Sequence, residues 1–397
     1  MTTATTEALR LTDRINRIEP SATMAVVAEA EKLRSQGIDV VDFGAGEPHF
    51  ATQQHIKDAG IAAIQGNFTK YTAVAGTAEL RDAIVHRHNV DFDSDYRREE
   101  VIASTGGKHA LFNAIQVLVD HGDEVILPVP YWVSFKDIVR YAGGNCVLLE
   151  SDESQGFRVT AEMVARLITP RTKVIILNSP SNPSGAVMSA ADMTEVVRLA
   201  HQRGIWVLSD ECYVYLNYTG KNFSVGSLRE YKERMVVLGS LSKTYAMTGW
   251  RLGYALAPAA VVSAMAKLQS QSTSNPTSIV QKAAVAALKG PQECVGEMRR
   301  EYIELRDYVV KGLRAIPGIT CTLPEGAFYA YPNVSSFFGS GVKSASDVAG
   351  RLLREAHVAT VPGEGFGTGD HIRVSYATSK TELDRGLERM RKFFAAL

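Results

Sequence analysis

Five short apolar runs, "DEVILPVP", "CVLLE", "TKVIILNSP", "IWVLSDE" and "RMVVLGS", follow one another between residues 123 and 240, with longer amphipathic stretches between them. Unbroken apolar runs of this length fit strands buried on both faces, and the intervening helix-period segments supply the crossovers that parallel neighbours need. The chain is therefore expected to be α/β with a mostly parallel sheet flanked by helices. In such sheets ligands bind beyond the carboxyl ends of the strands, so reactive groups are sought directly after the apolar runs.

One helix is predicted over "KHALFNAIQVLVDHG", where Ala110, Leu111, Ala114, Ile115 and Leu118 recur on one face and Gly122 stops the pattern. Gly106 and Gly107 stand just ahead of it. After about residue 290 the texture changes: a long polar amphipathic stretch, "QECVGEMRREYIELRDYVVKGLRAI", leads to "GAFYAYPNV", "HVATVPGEGFG", "HIRVSYATS" and a last helix pattern ending "RGLERMRKFFAAL". This predicts a smaller α+β domain completed by residues near the N-terminus. The glycines of "PGEGFGTGD" do not have dinucleotide-binding spacing, and they read as a mobile loop.

At 397 residues the chain exceeds one comfortable core, which agrees with two domains. Lysines plus arginines (43) equal aspartates plus glutamates (43), which argues against a nucleic-acid surface or a polybasic membrane anchor and favours small-molecule partners. Cys146, Cys212, Cys294 and Cys321 are scattered without a zinc spacing. The "HRH" pair, His86 and His88, reads as a solvated helix face, and no metal is expected. The N-terminal stretch lacks a secretory pattern and no long apolar run occurs, so a cytoplasmic protein is expected.

Four strand ends offer chemistry. "IWVLSDECY" ends on Asp210 and Tyr213, "VIILNSPSNPSG" on a turn with Asn182, "VVLGSLSK" on Ser240, Ser242 and Lys243, and "VIASTGGK" runs into the glycine-started helix. Singly, each has a plain explanation: a cap, a turn, a solvated lysine. Jointly they fit a phosphorylated aldehyde cofactor. A helix start with two glycines, two serines and Arg251 would cradle a phosphate, and a desolvated lysine would form a Schiff base. An aspartate would keep a pyridine nitrogen protonated, while Asn182 and Tyr213 would hydrogen-bond the ring oxygen.

The combination "NPSGAV", "SDECY", "GSLSKTYAMTGWRLGYALAP" and "HIRVSYATS" resembles the fold-type I, class I aminotransferases that use pyridoxal 5'-phosphate. "PSATMAV", "GAGEPHF", "KYTAVAGTAELR", "GGKHALF" and "PYWVSF" narrow the resemblance to the bacterial and plastid-type aspartate aminotransferase subgroup, from about residue 18 onward. It implies a seven-stranded-type sheet in a large cofactor-binding domain over 60–290. A small domain would span 291–397, with 1–59 as an N-terminal arm and part of it. A homodimer with shared active sites is implied as well.

Residue by residue, the resemblance implies Lys243 as the Schiff-base lysine and proton carrier, with Asp210 on the pyridine nitrogen and Asn182 and Tyr213 at the ring hydroxyl. Gly107, Lys108 through its backbone, Ser240, Ser242 and Arg251 fall at phosphate positions. Trp132 stacks on the ring, and Tyr71 reaches the neighbouring subunit's phosphate. Arg373 clamps the substrate α-carboxylate, helped by Gly46 and Asn182, while the Lys108 side chain is the candidate for a distal carboxylate, since "LQSQSTSNP" holds no arginine. The implied reaction is ping-pong transfer of an amino group between L-aspartate and 2-oxoglutarate. Glutamate/aspartate-prephenate transamination, other broad-specificity transamination, and a lyase, cyclase or oxidase on the same scaffold stay open. Glu19 before "PSATM", where a basic residue would favour prephenate, and His49 in "GEPHF" depart from the subgroup pattern.

Overall fold

The computed structural model describes residues 11–20, 22–339 and 341–397. The first ten residues of the N-terminal arm and Ser21 of "PSATMAV" lie outside the described residues. After a short strand β1 (Val41–Asp42) the chain builds a seven-stranded sheet from β2 (Val101–Ser104), β3 (Glu124–Val129), β4 (Asn145–Glu150), β5 (Thr172–Asn178), β6 (Trp206–Asp210), β7 (Met235–Ser240) and β8 (Gly253–Leu256). Their order is β2-β8-β7-β6-β5-β3-β4, and only β8 runs against its neighbours.

Both faces of the sheet centre are covered. On β5, Val174 and Ile176 pack with Val125, Leu127, Leu208, Val236 and Leu238, whereas Ile175 and Leu177 pack on the opposite face with Ile126, Val207 and Val237. Double-sided burial removes the alternation that a half-exposed strand would show. Truncating Ile175 to alanine in such a layer costs about 2–5 kcal/mol. Strand β4 differs from the sequence expectation: it is an edge strand in which only Leu149 is buried, so "CVLLE" is not covered on both faces.

The crossovers are helices such as Ser134–Ala142 between β3 and β4 and Ala190–Gln202 between β5 and β6. The second starts where Ser189 Oγ accepts from the Asp192 N–H at 3.0 Å, and it buries Met193, Val196, Val197 and Ala200 on one face. Register then decides where chemistry can gather. Asn178 pairs with Asp210, Asp210 with Leu238, and Gly253 with both Ser240 and Ser104, so the ends of β5, β6, β7 and β2 meet at one edge.

A second apolar core lies among β9 (Tyr329–Ala330), β10 (Val358–Ala359), β12 (Ile372–Ser375) and the helices Glu293–Arg314, Ala345–Ala356 and Lys380–Ala395, while Val361 of β11 (Val361–Pro362) packs with Phe157, Tyr331 and Phe366. Strand β1 pairs in parallel with β10, and β11-β12-β9 form an antiparallel sheet. The long helix turns Met298, Tyr302, Leu305, Val309 and Leu313 into this core. Tyr213 and Leu216, from the loop after β6, are also part of it.

Three local expectations are corrected. The glycine-started helix spans Gly107–Leu118 and stops well before Gly122, because Val119 is extended (φ −114°, ψ 129°) and the Asp120 N–H donates to Asp123 Oδ2 at 2.9 Å. His88 is buried, not solvated: its ring nitrogens meet Ser94 Oγ at 2.8 Å and Ser224 Oγ at 3.2 Å, and burial pushes its pKa down to about 3. "PGEGFGTGD" is a packed segment where a loose loop is expected: a tight turn over Gly363–Phe366 buries Phe366 completely and its carbonyl accepts from the Tyr131 N–H at 3.0 Å. Among the described residues no helix is long and apolar enough to cross a membrane.

Candidate active site

The edge where β2, β5, β6 and β7 end carries a ready-made anion site. The Gly107–Leu118 helix begins without a side-chain cap, so its positive end faces the edge unblocked. Gly106 holds φ 84°, ψ 161°, a region only glycine adopts without strain. A β-carbon built on Gly107 would lie 3.2 Å from Cys212 Sγ and 3.3 Å from Ser240 Cβ, and one on Gly253 only 2.2 Å from the Gly107 nitrogen. Chain segments thus press together closely enough to put Ser240 beside the helix start. Ser240 Oγ accepts from the Ser242 N–H at 3.1 Å and so fixes the next turn, Leu241–Thr244. Arg251 closes the group, with Nη1 donating to the Thr248 carbonyl at 2.9 Å.

That turn carries Lys243. Its amine donates to the Gly46 carbonyl and lies 5.7 Å from the centre of the Phe328 ring. Burial of the amine pushes its pKa down to about 8; the charges of Arg373 and Arg251 push the same way, against Cys212 and Glu47. The residue as a whole keeps partial solvent access, while burial leaves its amine poorly solvated.

On the neighbouring strand, Asp210 is 5% exposed and its Oδ1 accepts from the Cys212 N–H at 3.1 Å. Burial raises its pKa, with the Cys212 contacts opposing, and among the described residues it has no ion-pair partner. A desolvated carboxyl without a cation is costly unless something cationic completes it. Its backbone carbonyl accepts from Asn178 Nδ2 at 3.1 Å, and Asn178 Oδ1 accepts from the Asn182 N–H at 3.0 Å. This places the Asn182 turn at the same edge.

Asn182 Oδ1 in turn accepts from Arg373 Nη1 at 2.9 Å, while Arg373 Nη2 donates to the Gly44 carbonyl at 2.8 Å. Arg373 is 2% exposed, and its Nε, buried, has no partner among the described residues. The guanidinium is held between two rings, 4.4 Å from the centre of Tyr329 and 5.2 Å from that of Phe366. Tyr213 meets Tyr329 hydroxyl to hydroxyl at 2.7 Å.

Contacts therefore link Lys243, Gly46, Asn182, Asp210, Tyr213, Arg373, Gly107, Ser240, Ser242 and Arg251 in one region. Lys108 and Trp132 form their own pair: the ammonium lies 5.0 Å from the indole centre, and burial of the amine, then Arg251, lowers its pKa. Tyr71 stands apart at 93% exposed. Glu19 binds Lys136 Nζ at 2.9 Å and Arg140 Nη1 at 3.1 Å, and His49 Nε2 meets Glu301 Oε1 at 2.9 Å. Sequence reasoning missed Tyr329 and Phe366. The "FYAY" cluster was the available signal, but nothing local says which of its aromatic rings faces the arginine.

The sequence pattern of the family Aminotransferase class I and II matches residues 38–390. An aspartate aminotransferase of Geobacillus stearothermophilus is 44% identical over 391 residues, covering 98% of this chain and 100% of that protein. An aspartate/prephenate aminotransferase of Nitrosomonas europaea is 41% identical, covering 96% of this chain and 99% of the relative. The crystal structure of the aspartate aminotransferase from Rhizobium meliloti superposes with a TM-score of 0.93 at 42% identity, covering 98% of this chain and 99% of that one.

Proposed function

Since this chain belongs to the class I and II aminotransferases and is an aminotransferase, we propose that it moves the amino group between L-aspartate and 2-oxoglutarate by a ping-pong reaction with pyridoxal 5'-phosphate. The single observation that carries the cofactor assignment is that the uncapped start of the Gly107–Leu118 helix, the turn with Lys243 and the buried Asp210 carboxyl, which lacks a cation among the described residues, stand at one edge of the sheet. The residues fit the group. Asp210 would hold the pyridine nitrogen in its protonated form. The amides of Gly107 and Lys108, with Ser240, Ser242 and Arg251, would hold the phosphate. Tyr213 and Asn182 would face the ring oxygen, and Trp132 would stack on the ring.

Pyridoxal phosphate, when bound, supplies an aldehyde for the amino group and a ring that draws in the electron pair left at the substrate α-carbon. The protein supplies the rest. Arg373, preset by Asn182 and Gly44, takes the α-carboxylate with its remaining donors, and its orphan Nε supports that role. This orients the Cα–H bond toward Lys243. The neutral Lys243 amine takes that proton from the α-carbon onto Nζ and, as the ammonium, is the acid that can give it back, a task that suits an amine with a pKa near the working pH.

Relatives of this chain are named aspartate aminotransferase, which supports aspartate as the donor. Lys108 is our candidate for the distal carboxylate. Glu19, held by Lys136 and Arg140, stands where a basic residue would favour prephenate, which supports a small dicarboxylate over that larger dianion. A homodimer belongs to the same proposal. Tyr71, almost wholly exposed in the single chain, would complete the neighbouring subunit's phosphate site. The separate apolar cores support a cofactor domain over 60–290 and a smaller domain from 291–397 with N-terminal residues.

The test is a half-reaction panel. The holoenzyme's visible absorption should bleach with aspartate and return with 2-oxoglutarate, faster than with alanine, phenylalanine or arogenate. A spectrum unchanged by every amino acid would contradict the proposal, and arogenate as the fastest donor would reassign the substrate.

A further inference from the structure

Tyr329 is a buried polar side chain that touches both Tyr213 and Arg373. It lies in β9, 1% exposed, opposite Ser375 of β12. Directly paired residues of an antiparallel ladder share a face, and Arg373, two residues before Ser375, shares it as well. That diagonal relationship sets the Tyr329 ring 4.4 Å from the Arg373 guanidinium carbon. At the other end of the side chain, the hydroxyl meets the Tyr213 hydroxyl at 2.7 Å. A β-carbon on Gly46 would come within 3.2 Å of the same oxygen, so the backbone at Gly46 also closes around it.

Two phenols in contact have two hydrogens, and only one can lie between the oxygens. Burial raises both pKa values, so both phenols are neutral at ordinary pH. If Tyr329 donates, the Tyr213 hydrogen is free to point at another acceptor and is polarised toward it. If Tyr213 donates, its hydrogen is spent on Tyr329. We propose that Tyr329 is a positioning residue with two separable parts: its hydroxyl donates to Tyr213 and aims the Tyr213 proton at the cofactor's ring oxygen, while its ring face fixes the plane of Arg373 for the substrate carboxylate. This rests on the reading that Tyr213 faces that ring oxygen. The charged or titratable groups around the pair include Arg373, Cys212 and Tyr302.

The two parts come apart in two variants of the holoenzyme. Tyr329→Phe keeps the ring and deletes the hydroxyl, and Tyr329→Leu removes both. One readout is the pH midpoint of the visible absorption, which reports how strongly the ring oxygen is stabilised as an anion. The other is the Kd for succinate, a dicarboxylate with no amino group to react. Tyr329→Phe should shift the midpoint upward and leave the succinate Kd within about twofold, whereas Tyr329→Leu should shift the midpoint and weaken succinate by about tenfold. The double variant Tyr213→Phe/Tyr329→Phe should shift the midpoint no further than Tyr213→Phe alone.

An unmoved midpoint in Tyr329→Phe, additive shifts in the double variant, or equal loss of succinate in Tyr329→Phe and Tyr329→Leu would each overturn the inference. Melting temperatures of the variants separate these effects from simple loosening of the fold. Failure of the cofactor assignment on which this rests shows differently: the unaltered protein would then take up no pyridoxal phosphate at all.

Discussion

Gly106 and Arg251 compete for one space: a β-carbon on the glycine would stand 2.5 Å from Arg251 Nη2. The helix start and the guanidinium are therefore a single device, in which the missing side chain is what lets the cation approach the free amides. Neither part makes an anion site alone. A helix end lacks a full charge, and a lone exposed arginine lacks an orientation.

Gly106→Ala should break that device. The residue sits in a backbone region that costs a side chain about 1–3 kcal/mol, and Arg251 must move as well. Titration of the apoprotein with pyridoxal phosphate should show at least a tenfold (about 1.4 kcal/mol) loss of affinity. Affinity equal to the unaltered protein would mean that the anion binds elsewhere.

Lys108→Ala separates the two substrate carboxylates. Arg373 is untouched by this change, so KM for aspartate and glutamate should rise about tenfold or more, while KM for alanine stays close to its original value. Equal rises for all three donors would assign Lys108 to the cofactor instead of to substrate choice. Steady-state kinetics across the three donors decide it.

Asp210→Asn carries a stability prediction with a sign. The folded carboxyl has a raised pKa, so ionisation penalises the folded apoprotein; the penalty is absent below the unfolded value of about 3.9 and grows as pH rises through the folded one. Apo Asp210→Asn should therefore resist urea better than the unaltered apoprotein at pH 7, with the gap closing toward pH 4. Its affinity for pyridoxal phosphate should fall. A variant less stable than the unaltered apoprotein at pH 7 would show that the carboxylate is already compensated.

The depressed Lys243 amine sets a pH dependence. Only the neutral amine attacks an aldehyde, so cofactor uptake by the apoprotein should quicken as pH rises and level off above about 8. Stopped-flow absorbance in a pH series measures it. A midpoint near 10, the ordinary lysine range, would show that the amine is solvated.

What was legible in the sequence follows from what each residue's neighbours are. Runs such as "TKVIILN" and "RMVVLGS" read as strands because both faces of β5 and β7 are buried, which leaves a continuous apolar signal. "CVLLE" carried the same signal at an edge, where only Leu149 needs cover, so its burial was overstated. Strand β8 escaped notice because Gly253, Tyr254, Ala255 and Leu256 lie inside a stretch read for its lysine and arginine. His88 misled because Ser94 and Ser224 satisfy it, and Ser224 lies on a distant segment that helix periodicity cannot report. Tyr329 illustrates the same limit: its partners, Tyr213 and Arg373, reach it only through the pairing of β9 with β12 and the loop after β6. The residues at the strand ends were identified by motif and resemblance, and periodicity alone located only the edge.

The central claim is that the Lys243 amine is the group that holds the cofactor. Borohydride reduction of the holoenzyme makes such a bond permanent, and digestion with mass analysis then locates the added group. The account predicts the phosphopyridoxyl mass on the peptide that contains Lys243, and its absence from that position in Lys243→Ala. The same mass on Lys108, or on no lysine at all, would contradict it.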